Sequence, residues 1–120
     1  IAMLHNQALL RRNGMNIALA ELLDNELNQT EIDEVRVDDD SLTVELSDGR
    51  TIVAPILWYP RLAYATQIER QQFEIRRNVI FWPELDEEVS VRGMLLGRKS
   101  GESPQSLQRW LSEREALVAA

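Results

Sequence analysis

Leu42-Thr43-Val44-Glu45-Leu46-Ser47-Asp48-Gly49-Arg50-Thr51-Ile52-Val53-Ala54-Pro55 decides the fold of this chain. Leu42, Val44 and Leu46 alternate with Thr43, Glu45 and Ser47, the period of a strand with one buried face. Asp48-Gly49 follows, and both residues tolerate the positive φ of a tight hairpin. The chain returns as Thr51-Ile52-Val53-Ala54, and Pro55, which has no N–H, ends the ladder or lies at an edge. Upstream, Val35 and Val37 alternate with Glu34 and Arg36. Asp38-Asp39-Asp40 then turns the chain through side-chain hydrogen bonds, so these carboxylates read as turn formers rather than ligands. A three-stranded antiparallel meander with one apolar face is expected.

The flanks are helical. Leu19, Leu22, Leu23 and Leu27 recur at helical spacing from Asn16 to Gln29, with Glu21, Asp24, Asn25 and Asn28 opposite. Residues 4–12 form a further short helical candidate. Met15 reads as a start, with residues 1–14 an N-terminal extension. Past the meander, Pro60 opens a short helical turn, and Thr66-Gln67-Ile68-Glu69 has the form of a capping box that predicts a helix through Phe73 or Glu74. Ile75, Val79, Ile80, Phe81 and Trp82 supply one or two further strand pieces before Pro83. Ser90 caps a predicted short helix containing Val91, Met94 and Leu95, ended by Gly97. Ser103-Pro104 opens a last helix with Leu107, Trp110, Leu111 and Leu117 or Val118 on one stripe.

The expected architecture is α+β: a small twisted antiparallel sheet (a three-stranded meander plus one or two further strands), a short central helix and flanking terminal helices. Residues 1–14 are the extension, 15–30 the amphipathic helix, 31–97 the core domain, and 98–120 a linker with the C-terminal helix.

Composition narrows the chemistry. The chain of 120 residues has 20 acidic against 13 basic side chains, net charge −7. That balance repels nucleic acid and anionic membranes and favours a basic protein partner. There is no cysteine, which removes disulfides, thiolate metal sites and a thiol nucleophile. His5 is the only histidine, so triad logic and multi-histidine metal sites fail. No glycine-rich phosphate loop is present, and no apolar run reaches the ~20 residues that span a bilayer. No enzymatic activity, no cofactor, no metal, no membrane association, no direct nucleic-acid binding and a cytoplasmic location are expected. Arg11-Arg12 and Arg76-Arg77, the basic doublets, are too sparse for a nucleic-acid footprint.

Together, Asp48-Gly49-Arg50, Pro55, Trp58-Tyr59-Pro60-Arg61-Leu62, Ala65-Thr66, Glu69-Arg70, Ile80, Trp82-Pro83, Leu85-Asp86, Val89-Ser90-Val91 and Gly93 to Leu95 resemble the bacterial domain-of-unknown-function family numbered 2442. The likeness runs roughly from Glu34 to Gly97. It implies a small α+β domain without established enzymatic activity. Some relatives carry a helix-turn-helix region, and some look like partners of small toxin-like proteins. This chain departs from them: it has one helix after Gly97 and an additional helix at the N-terminal side.

Two clusters stand out as candidate sites. Trp58, Tyr59 and Arg61 are the residue types that dominate interface anchors. Alternatively, Trp58 and Leu62 enter the core while Arg61 pairs with a carboxylate such as Asp86. Glu84, Asp86, Glu87 and Glu88 place four carboxylates within five positions, either a solvated acidic turn or a rim that attracts a basic partner. The leading expectation is a non-enzymatic protein-interaction module, antitoxin-like or regulatory, with Trp58, Tyr59 and Arg61 as anchor and Asp86, Glu87 and Glu88 as acidic rim. The alternatives are a structural domain that homo-oligomerises through its terminal helices, or a transcriptional regulator acting with a partner.

Overall fold

A computed structural model describes residues 16–119; the helical candidate at residues 4–12 and the extension at 1–14 lie outside them. The expected meander is formed by β1 (Ile32–Val37), β2 (Ser41–Leu46) and β3 (Thr51–Pro55), in the order β1-β2-β3. Its register sets Val35 against Val44, Val37 against Leu42 and Ala54, in turn, against Leu42, so the apolar positions share one face. Gly49 takes φ +92° at the β2–β3 turn, a conformation that side chains with a Cβ resist. Asp38 holds the β1–β2 turn: its Oδ1 accepts from the Asp40 and Ser41 N–H groups, both at 2.8 Å. Those backbone donors lower the Asp38 pKa.

The remaining strands are β4 (Glu74–Arg76), β5 (Val79–Trp82) and β6 (Glu87–Ser90), and they form a second antiparallel sheet. Sequence reading found the first two and missed β6. The acidic step hides it: a 3-10 turn at Pro83–Leu85 and a left-handed Asp86, φ +49°, reverse the chain and set Trp82 against Glu87. From there Glu87 and Val89 point inward and Glu88 outward, a period of two that the charges conceal. The Ile32 N–H donates to the Arg77 carbonyl at 2.8 Å and links the two sheets.

Short helices fill the corners. α2 (Pro60–Tyr64) and α3 (Gln67–Arg70) follow β3, with α1 the N-terminal helix Asn16–Gln29. The capping box forms as expected, but α3 lasts one turn rather than reaching Phe73. α4 (Val91–Leu95) begins at Ser90, whose hydroxyl accepts from the Gly93 N–H at 2.9 Å. α5 (Pro104–Ala119) starts with Pro104 at its first position, and Ser103 Oγ accepts from the Ser106 N–H. Trp82, Leu42, Leu62, Ile80, Leu85, Val44 and Val91 are fully buried between these layers, and Trp110 of α5 packs against them.

Trp82 is the keystone of that core. Its ring meets Phe73 at 5.9 Å, and its Nε1 donates to the Arg70 carbonyl at 3.0 Å. Trp82→Ala should therefore destabilise the domain by about 3–5 kcal/mol in a urea titration. Leu57→Ala, at a position 79% exposed, should stay within about 0.5 kcal/mol.

Candidate functional site

The corner Trp58-Tyr59-Pro60-Arg61-Leu62 sits where β3 leaves the first sheet. Pro55 keeps extended geometry, a 3-10 turn covers Ile56–Trp58, and Pro60 then starts α2 with its fixed φ. The turn buries Ile56 and, three residues on, Tyr59. Leu57 stands out into solvent, Trp58 lies half-buried, and Tyr59 is buried with 3% of its surface exposed.

Arg61 also turns inward, and its partner is Glu102 rather than Asp86. Nε and Nη2 donate to the Glu102 carboxylate at 2.8–2.9 Å, while Nη1 donates to the Leu85 carbonyl at 2.9 Å. The guanidinium also stacks 5.2 Å from the centre of the Trp110 ring. Asp86 cannot compete, because its left-handed backbone holds it at the exposed end of the turn. Arg61 lowers the Glu102 pKa through the hydrogen bonds it donates. Side-chain exposure is 17% for Arg61 and 8% for Glu102, so removing one partner leaves a charge largely away from water.

A second guanidinium fastens the same corner. Arg70 Nε donates to the Leu62 carbonyl at 2.8 Å and Nη2 to the Ala63 carbonyl at 2.9 Å, which saturates the end of α2. Its Nη1 reaches Asp39 Oδ1 at 2.7 Å. Sequence reading did not single out Arg70; the signal available was a charged residue directly after a capping box, where an amphipathic turn should end. Beside it, Arg114 donates to both Glu69 oxygens at 2.7–2.8 Å and lies 4.4 Å from the Trp110 ring centre.

The acidic step divides as well. Glu84, Asp86 and Glu88 are exposed, whereas Glu87 is buried on the inner side of β6. Burial raises the Glu87 pKa, opposed by the Glu88 N–H, which donates to Oε1 at 3.3 Å. Glu87 and Tyr59 line one cavity of about 190 Å³, together with Ser90, Gly93, Arg98 and Lys99. The Tyr59 hydroxyl is buried without a hydrogen-bond partner among the described residues. Burial, and then the nearby Glu87, raise its pKa. Leaving such a group unpaired costs about 1–3 kcal/mol. Of the six residues expected to contact a partner, the structure thus turns Tyr59, Arg61 and Glu87 inward and leaves Trp58, Asp86 and Glu88 accessible.

Among the described residues no group of three or more His, Cys, Asp or Glu could hold a metal ion, and no helix is long and apolar enough to cross a membrane.

The family described as protein of unknown function (DUF2442) matches residues 32–100, from the first strand through the Arg98-Lys99 segment. The chain belongs to this family. No curated protein matches it. Two solved structures share its fold. One is a crystal structure of a protein of unknown function from Rhodospirillum rubrum, 22% identical, with TM-score 0.53, covering 61% of this chain and 93% of that one. The other is a solution NMR structure of an uncharacterized protein from Chromobacterium violaceum, 20% identical, with TM-score 0.53, covering 85% of this chain and 92% of that one.

Two measurements test this geometry. Glu102→Ala should cost about 3 kcal/mol in a denaturant titration, because it strands the Arg61 charge. Asp86→Asn, which keeps a residue tolerant of the left-handed backbone, should change stability by less than about 0.5 kcal/mol. Equal losses would mean that Asp86 shares the pairing. The second test concerns Glu69, whose pKa Arg114 lowers from the ordinary 4.5 to about 2. A carboxyl lowered in the folded state stabilises it above the unfolded pKa and loses that contribution as pH falls. Thermal stability should therefore fall less steeply between about pH 5 and 2 in Glu69→Gln, which retains a side chain suited to the capping box.

Proposed function

We propose that this domain is a non-enzymatic protein-interaction module, an antitoxin-like or regulatory partner of a small basic protein, acting in the cytoplasm. The observation that carries the reading is the exposed row Glu84, Asp86 and Glu88 in a chain whose net charge is −7. Exposed carboxylates at a rigid turn raise the encounter rate with a basic surface and orient it before contact. Because Tyr59 and Arg61 are committed to the interior, the proposed anchor is the accessible part of the corner: Trp58, half-buried, beside Leu57, 79% exposed. An aromatic ring next to an uncovered aliphatic side chain has the composition of an interface hot spot with an apolar surround.

The alternative is a structural domain that homo-oligomerises through its terminal helices. Leu19 and Leu22 of α1 are 55% and 60% exposed, and Leu117 and Val118 of α5 are 78% and 89% exposed. Uncovered apolar stripes of this kind suit a second helix. A transcriptional role through a partner is the third reading, and retardation of the operon's own DNA by the complex alone would select it.

The deciding experiment isolates the stoichiometric complex from the native host and measures association by stopped flow across salt concentrations. Glu84→Lys with Glu88→Lys should slow association and flatten its salt dependence. Rates indifferent to both substitutions and salt would overturn the steering argument. A mass that rises with concentration in the chain alone, abolished by Leu22→Asp, would select the homo-oligomer.

A further inference from the structure

Tyr59, Glu87, Ser90, Arg98 and Lys99 line the cavity between the corner and β6, and the charges among them have two signs. The Tyr59 hydroxyl is buried and has no hydrogen-bond partner among the described residues. Of the two Glu87 oxygens, only Oε1 takes a hydrogen bond within the described chain, from the Glu88 N–H. Of the cations that line the same cavity, Arg98 is exposed and pairs with no carboxylate among the described residues, and Lys99 lies 5.8 Å over the Trp58 ring. The Ser90 hydroxyl accepts from the Gly93 N–H, which leaves its own proton to donate. A buried polar group without a partner is rare in folded proteins. Here it stands beside a buried carboxylate that burial disfavours in its charged form.

We infer that this cavity is a binding site for a small zwitterion of the free amino-acid class, its ammonium held by Glu87 and Tyr59 and its carboxylate by Arg98, Lys99 and Ser90. A cation alone would satisfy Glu87 but face Arg98 and Lys99. An anion alone would satisfy those cations but face Glu87 and Glu88. A molecule carrying both charges a few bonds apart satisfies both sides, and the ammonium offers the several N–H donors that Tyr59 and Glu87 together accept.

Size supports the same class. The cavity of about 190 Å³ is smaller than the ~300–1,000 Å³ of pockets that enclose drug-sized ligands. That size suits a small ligand such as an amino acid with a short side chain. Gly93 keeps the wall open, since a Cβ there would meet Ser90 Oγ at 3.0 Å. The site adjoins the proposed partner surface: Glu88 belongs to both, and Lys99 lies over the Trp58 ring.

The test is an NMR titration of the full chain with glycine, alanine, serine and leucine, using ethylamine and acetate as single-charge controls. A small amino acid should give saturable shifts at the Gly93, Ser100 and Gly101 amides, and neither control should match it. Tyr59→Phe removes the buried hydroxyl while keeping the ring, so the fold should hold. That variant and Glu87→Gln should each weaken binding about tenfold, the loss of one well-made hydrogen bond to a charged group. The absence of saturable shifts with any amino acid would overturn the proposal. So would unchanged affinity in both variants, or ethylamine binding as tightly as glycine; the latter would assign the cavity to a lysine side chain of a protein partner.

Discussion

The Arg61 guanidinium joins three segments that sequence order keeps apart. It extends from the corner after β3, donates to the Leu85 carbonyl, and donates to Glu102 on the approach to α5, 41 residues away. A planar fork with five donors can serve a carbonyl and a carboxylate at once, and its face remains free to stack on Trp110. Lysine could not reproduce that geometry. Because the Leu85 carbonyl belongs to the turn that precedes β6, the same interaction fixes where the last strand begins. The position of Glu87 follows from that.

Arg70 repeats the strategy one turn later. Its side chain closes the carbonyl end of α2, and its own carbonyl receives the Trp82 indole. In a chain of net charge −7, two arginines are thus spent inside, against backbone carbonyls and selected carboxylates. The side chains of Glu102 and Glu87 are buried as well, so the exposed surface keeps the acidic balance of the whole chain.

The corner and β6 carry a local conflict that the rest of the core tolerates. A buried phenol without a partner among the described residues and a buried carboxyl each work against stability. Folded proteins retain such groups where a ligand or partner completes them, and elsewhere replace them with phenylalanine or an aliphatic side chain at little cost. Both occur within the segment matched to the family, on rigid strand and helix ends rather than on the distal α5. Two structures at 20% and 22% identity share the fold, which shows that the backbone arrangement survives wide changes of side chain.

The sequence by itself determined the local structure. Alternating Leu42, Val44 and Leu46 with Asp48-Gly49 specified the meander, Thr66 and Glu69 specified the capping box, and Ser90 with Gly97 bounded α4, because each signal acts over a few residues through backbone geometry. Membership of the DUF2442 family was legible in the same way, from spaced Trp, Pro and Gly residues. Tertiary structure alone decided which side of the chain each polar residue faced. Trp58 and Tyr59 are neighbours in sequence with different burial, and Glu87 lies between two exposed acids yet points inward. Residue type does not separate them: the left-handed turn at Asp86 sets the inward face of β6, and the packing of Arg61 against Glu102 joins residues far apart in the chain.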